Sequence, residues 1–116
     1  MNDVTIWHNR RCSKSRATMA ILEERGIDPN TVNYLDETPG ADEIKQVLAM
    51  LGFAPRELMR TNEAVYKELG LAEVTDDEAL VRAMVENPIL IQRPIVIKDG
   101  RAVIGRPPER VVSILE

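Results

Sequence analysis

VTIWHNRRCSKSR, residues 4–16, is the stretch that decides the fold. Its opening, Val4 to Trp7, is short, β-branched and aromatic, and it runs into a polar segment, which predicts a buried first strand. From Ser13 the spacing of apolar residues becomes helical, and Gly26 is placed to end that helix. We therefore expect a strand, a polar loop and a helix, with Cys12 at the junction of the loop and the helix.

The middle of the chain predicts a helical insert after a second strand. Thr31 to Leu35 forms that strand, and a strand, a helix and a strand in succession normally make a parallel pair with a right-handed crossover. Residues 38–88 are then predicted to be helical, at 41–51, 55–59, 64–69 and from a capping box at Thr75-Asp76-Asp77-Glu78 to about Glu86. The first helix is expected to bury Ala17, Ala20, Ile21 and Leu22.

The end of the chain predicts a β-hairpin and a helix. Residues 95–97 and 102–104 form two strands, and the Asp99-Gly100 pair between them is a strong signal for an antiparallel hairpin. A last helix is expected at 109–115. The order β-α-β, helices, β-β-α predicts an α/β fold with a mixed four-stranded sheet, in one domain that spans residues 1–116.

The composition excludes several classes of protein. The chain has 116 residues, of which 44% are hydrophobic and 29% charged, as in an ordinary folded domain. The formal net charge of −4 argues against binding to nucleic acid, which normally requires a basic surface. One cysteine cannot form an internal disulfide, and we find no signal peptide and no apolar run that could span a bilayer. We therefore expect a cytoplasmic monomer that binds no membrane.

Cys12 is the strongest candidate for chemistry. A cysteine before a helix N-terminus faces free amide donors and the positive end of the helix dipole, which lower the pKa of the thiol. Arg10, Arg11, Lys14 and Arg16 add positive charge nearby. The alternative is a buried, inert cysteine, but the polar neighbours favour the reactive interpretation.

Two residues near Cys12 have candidate catalytic roles. His8, the only histidine, lies four residues before the cysteine. It either tunes the thiol or carries a proton, or else it only caps the strand or bonds to the backbone. Ser15 lies one turn into the helix, where its hydroxyl either donates to the sulfur or bonds only to the backbone.

Three arginines are candidates for binding an anion. Arg93 interrupts the apolar stretch 89–97, and a guanidinium buried without a partner is costly, so it either reaches water or faces a pocket that holds an anion. Pro94 makes this loop rigid and is compatible with a cis peptide bond. Arg106 likewise precedes a proline, Pro107, while Arg60 is less telling by itself.

These motifs together resemble the glutaredoxin-linked arsenate reductases. The similar segments are HNRRCSKSR at 8–16, Arg60, ELGL at 68–71, NPILI at 87–91, Arg93-Pro94 and Gly105-Arg106-Pro107, so the resemblance covers the whole chain. It implies a thioredoxin-like fold in which Cys12 is the nucleophile, Arg60, Arg93 and Arg106 bind the oxyanion, and Arg93-Pro94 occupies the cis-proline loop. Arg10 stands where the family usually has a proline, and Trp7 where it usually has a tyrosine.

The resemblance also implies a reaction. Cys12 would attack arsenate to form a covalent adduct, and glutathione and glutaredoxin would supply the electrons before arsenite leaves; no cofactor or metal is bound. The sequence independently supports the need for outside thiols, because a chain with one cysteine cannot close its own disulfide. The phosphatase-like type of arsenate reductase is excluded, since its Cys-x5-Arg loop would need arginine where this chain has Thr18.

Two alternatives remain open at this point. The first is a regulator similar to the Spx-type proteins, which bind RNA polymerase and respond to redox state. Those proteins use a Cys-x-x-Cys motif, whose second position is here Ser15. The second is a glutaredoxin-like enzyme that acts on mixed disulfides of glutathione and requires Cys12 but not the three arginines.

Overall fold

The fold is known from a computed structural model, which describes residues 3–115. The chain divides into two compact units. The sheet unit contains residues 3–37 and 93–115 of the described chain, and the helical unit contains residues 38–92. That the two units form a single domain stays a prediction.

The sheet unit has the predicted element order. Its strands are β1 (Val4–His8), β2 (Asn30–Asn33), β3 (Ile95–Lys98) and β4 (Arg101–Ile104). Its first helix is α1 (Ser13–Glu24). A 3₁₀ turn at Pro108–Val111 leads into its last helix, which is α5 (Val112–Leu115) because helices are numbered along the whole chain. The strands lie in the order β2-β1-β3-β4, with β1 parallel to β2 and the other pairs antiparallel. This arrangement confirms the predicted α/β fold with a mixed four-stranded sheet.

The β3–β4 hairpin shows why the Asp-Gly signal is reliable. Asp99 has φ 51° and Gly100 has φ 75°, so both turn residues lie in the left-handed region. Asp and Gly tolerate that region better than other residues, and a two-residue turn of this kind matches the twist of its strands. Lys98 therefore pairs with Arg101, which sets the register of the whole hairpin.

The core of the sheet unit corrects one prediction about α1. Its buried members come from β1, α1, β3 and the C-terminal helical segment: Val4, Ile6, Leu22, Val96, Val111 and Ile114. The predicted buried side of α1 is wrong in part, because Ala17 and Ala20 are exposed while Ser15 and Thr18 are fully buried. The two hydroxyls are acceptable there because each has a hydrogen-bond partner.

The helical unit contains α2 (Ala41–Leu51), α3 (Ala64–Glu68) and α4 (Asp77–Glu86), with 3₁₀ turns at Pro55–Leu58, Leu71–Glu73 and Pro88–Leu90. The predicted start of α4 is displaced by one residue. Asp76, not Thr75, is the N-cap, and its carboxylate accepts from the Glu78 N–H at 3.3 Å. Across residues 3–115, no helix is both long enough and apolar enough to cross a membrane.

Candidate active site

Cys12 is the N-cap of α1, the residue between the polar loop and the first helical turn. Its backbone is extended, with φ −93° and ψ 124°. The Cys12 N–H donates to the Asn9 carbonyl at 2.9 Å, and the Cys12 carbonyl accepts the first bond of the helix from the Arg16 N–H at 3.0 Å. These two bonds hold the side chain at the helix N-terminus, where it is partly exposed to solvent.

The surroundings of Cys12 favour the thiolate. Burial by itself raises the pKa of the thiol, but the Ser15 N–H, the Arg93 side chain and the Lys14 N–H together lower it below its usual value. These donors lower the pKa because they stabilise the ionised sulfur more than the neutral thiol. Amide donors at a helix N-terminus and a guanidinium are the groups that activate cysteine nucleophiles.

Arg93 lies just before β3 and carries unpaired donors next to the thiol. Its Nε and Nη1 are buried, and neither has a hydrogen-bond partner within the described residues. Buried polar groups are normally paired, because an unmet donor of a charged group costs several kcal/mol. The Arg93 guanidinium therefore keeps unused donors beside the thiol, and its role in binding an oxyanion stays a prediction. Its peptide bond to Pro94 is cis, as the sequence allowed.

Arg106 lies beside Arg93 at the end of β4. Its Nη1 donates to the Arg93 carbonyl at 3.3 Å, and the peptide bond between Arg106 and Pro107 is also cis. The Gly105 N–H donates to the Pro94 carbonyl at 2.9 Å, which ties the two arginine loops together.

Gly105 has no room for a side chain. A Cβ there would lie 2.5 Å from Thr18 Oγ1 and 2.9 Å from Pro94 Cγ. Real Cβ atoms do not come that close to other heavy atoms, so only glycine lets β4, α1 and the Arg93 loop meet at this point.

His8 and Ser15 form a hydrogen-bonded pair behind the Cys12 loop. His8 Nδ1 lies 2.7 Å from Ser15 Oγ, which also accepts from the Asn9 N–H at 3.0 Å. Burial and the charge of Arg16 lower the pKa of His8, so the ring is neutral near pH 7. Among the described residues, His8 Nδ1 is the acceptor for the Ser15 hydroxyl proton, and this places the single N–H proton of the neutral ring on Nε2. The hydroxyl of Ser15 thus contacts His8, while its backbone N–H faces the sulfur.

Arg60 belongs to the helical unit. Its N–H donates to the Leu90 carbonyl at 2.7 Å, and its Nε pairs with Glu63 Oε2 at 3.1 Å. Its predicted role in binding the oxyanion stays a prediction. The other five predicted site residues, His8, Cys12, Ser15, Arg93 and Arg106, lie in the sheet unit.

Two residues that position the loop were not singled out from the sequence. Asn9 is buried; its Oδ1 accepts from the Arg11 N–H at 3.0 Å, and its carbonyl accepts from Cys12. This Asx-type turn has a sequence signal, an asparagine at the start of a polar loop. The close approach at Gly105 had no such signal.

Within residues 3–115, no cluster of three or more His, Cys, Asp or Glu side chains is arranged to hold a metal.

The chain is similar to known proteins over nearly all of its length. Residues 7–114 match the family model described as the ArsC family. The chain is 50% identical over 114 residues to the uncharacterized protein YfgD of Escherichia coli K12, covering 97% of this chain and 96% of that one. It is 46% identical over 117 residues to an arsenate reductase of Neisseria meningitidis serogroup A, covering 99% and 100%.

A solved structure of an arsenate reductase from Vibrio cholerae matches the fold with a TM-score of 0.93 at 48% identity, covering 96% of each chain. This similarity confirms the predicted thioredoxin-like fold.

Proposed function

Because this chain belongs to the ArsC family, we propose that it is an oxidoreductase that reduces arsenate to arsenite, with Cys12 as the nucleophile. The observation that carries the proposal is the Arg93 guanidinium. It has buried N–H groups without partners in the part of the chain that the structure describes, and it lies next to a thiol whose pKa it lowers. A cation held ready beside an activated thiol suits a substrate that is both an anion and an electrophile.

Binding is the first step of the proposed reaction. Arsenate oxygens accept from the free Nε and Nη1 of Arg93, from Arg106 and from the amides at the start of α1. Arg60 would supply a further guanidinium, as its equivalent does in the resemblance described above. The same donors that stabilise the thiolate then also stabilise the negative charge that builds up on the oxygens during attack.

Covalent attack is the second step. The Cys12 thiolate forms a bond from sulfur to arsenic, and one bond from arsenic to oxygen breaks. The departing oxygen carries its own proton, takes a second one and leaves as water. Arsenic is still pentavalent in this adduct, so no electrons have yet been transferred.

The reduction needs two electrons that this chain cannot supply, because it has a single cysteine. We propose that glutathione and glutaredoxin provide them. In the balanced reaction, arsenate, two thiols and the required protons give arsenite, one disulfide and one water, and Cys12 is regenerated as a thiolate. The enzyme needs no bound cofactor, acts as a monomer and works in the reducing cytoplasm.

The test is an arsenate-reduction assay with glutathione and glutaredoxin. Cys12→Ser is expected to abolish turnover, and Arg93→Ala to lower kcat/KM for arsenate by about 10²-fold, the usual effect of removing one donor to a developing oxyanion. Arg110→Ala, which removes an exposed guanidinium from the same unit, is the matched control and should retain full activity.

Three outcomes would contradict the proposal. An inactive wild-type protein would refute the arsenate assignment. Equal activity of Arg93→Ala and Arg110→Ala would refute the anion-binding role. Reduction of a glutathione mixed disulfide that survives Arg93→Ala, without arsenate turnover, would identify the chain as glutaredoxin-like.

A further inference from the structure

A small cavity of about 140 Å³ lies beside the Cys12 loop in the sheet unit. The ends of β1 and β2, the loop before Cys12 and the turn after β2 form its walls. It is close to the thiol along the chain, because Arg11, one of its lining residues, directly precedes Cys12. We call it the loop cavity.

The loop cavity carries both signs of charge. Arg10 and Arg11 line it from the loop, and Asp36 lines it from the turn after β2. All three are exposed, and in the described part of the chain none of the three charged groups has a hydrogen bond or an ion pair. Only their backbones are engaged, as in the bond from the Asp36 N–H to the Asn33 carbonyl at 2.9 Å. Two cations and one anion are therefore free to contact a ligand.

The size of the loop cavity limits its ligand. Pockets that enclose a whole drug-sized molecule have about 300–1,000 Å³, so 140 Å³ accommodates only a head group. The two cations and one anion suit a head group that carries a carboxylate and an ammonium close together. A peptide C-terminus offers only the carboxylate and an N-terminus only the ammonium, whereas an α-amino acid group offers both on one carbon. Leu35, 37% exposed, adds an apolar contact for the methylenes that follow such a group.

We propose that the loop cavity binds the α-amino acid head group of the thiol co-substrate, a small γ-glutamyl thiol of which glutathione is the probe. The carboxylate contacts Arg10 and Arg11, and the ammonium contacts Asp36. The several bonds between head group and sulfur then let the thiol reach the Cys12 adduct. This inference rests on the proposed function, and the loop cavity contributes only binding and orientation to it.

Arg10 distinguishes this cavity from the one that the family's usual sequence would form. It stands where the resemblance described above usually has a proline, so it brings a second guanidinium to the carboxylate side. A charge-assisted hydrogen bond contributes enough free energy to change a dissociation constant by about tenfold or more. Arg10→Ala and Asp36→Ala are therefore each expected to weaken head-group binding by about tenfold.

The test is an NMR titration of the full-length wild-type protein with S-methylglutathione, which keeps every charge of glutathione and has no thiol. Amide signals of Asn33, Leu35 and Asp36 are expected to shift on binding. Arg10→Ala and Asp36→Ala should raise the dissociation constant about tenfold, with partial rescue by Arg10→Lys. The exposed controls Arg110→Ala and Asp28→Ala should bind as the wild type does.

N-acetylation of the S-methylglutathione removes the ammonium and should weaken binding to the wild type but not to Asp36→Ala. Equal binding of the acetylated probe to the wild type would overturn the proposal. The titration involves no arsenate, so it tests this inference separately from the proposed function. Binding in the loop cavity without arsenate turnover would refute only the proposed function. Arsenate turnover without binding in the loop cavity would refute only this inference.

Discussion

Arg56 in the helical unit and Arg93 in the sheet unit are partly buried arginines with opposite hydrogen bonding. The Arg56 guanidinium donates to the Tyr66 hydroxyl, to the Leu71 carbonyl at 3.0 Å and to the Val74 carbonyl. Arg93 has two buried nitrogens that find no partner among residues 3–115. A guanidinium that donates hydrogen bonds to its own chain stabilises the fold. A buried guanidinium without such partners destabilises the fold, and a bound anion compensates for that loss by pairing with it.

Stability is the first measure of this difference. Arg56→Met is expected to lower the free energy of unfolding by about 3 kcal/mol, because it removes charged hydrogen bonds and leaves the Leu71 and Val74 carbonyls without their donor. Urea denaturation followed by circular dichroism measures the change. A loss below about 1 kcal/mol would mean that Arg56 does not hold this loop.

Arg93→Met is expected to change stability much less than Arg56→Met does. It replaces a guanidinium with buried, unmet donors by an apolar side chain, so stability should stay within about 1 kcal/mol of the wild type or rise. The same urea denaturation applies. If Arg93→Met were as destabilising as Arg56→Met, Arg93 would have a structural role and the contrast between the two regions would fail.

The pKa of Cys12 provides a finer comparison. The Arg93 guanidinium lowers it, so Arg93→Met should raise it, whereas Arg56→Met should leave it unchanged. The pH dependence of iodoacetamide alkylation reports the midpoint of thiol ionisation. A midpoint that is the same in the Arg93 variant and the wild type would show that the amides of α1 alone stabilise the thiolate.

The smallest expected effect is a dependence of stability on pH that comes from His8. The folded protein lowers the pKa of His8 below 6.5, so just below pH 6.5 the unfolded chain binds more protons than the folded one. Stability should therefore fall as pH decreases from 7 through 6.5 towards the folded pKa. His8→Gln should remove this slope in unfolding experiments at several pH values, and an identical slope in the variant would contradict the assignment.

The sequence predicted the elements better than their packing. Strands, the hairpin turn and most helix ends follow from short-range patterns such as β-branched runs and Asp99-Gly100, whose φ values confirm the turn. The buried side of α1 did not follow, because Ser15 and Thr18 count as polar until their partners, His8 and the Lys14 carbonyl, are known. The cap of α4 was displaced because Thr75 and Asp76 are both good N-cap residues.

The sequence by itself determined that Cys12 lies at a helix N-terminus, that no internal disulfide can regenerate it and that Arg93 lies in an apolar stretch. These are local facts, since they depend on neighbours along the chain. Only the tertiary structure decided that Arg93 keeps unmet donors beside the thiol while Arg56 does not. Whether a donor has a hydrogen-bond partner depends on carbonyls and hydroxyls that are distant in the sequence. Arg56, for example, donates to the carbonyl of Val74. No local sequence pattern encodes the position of such a partner.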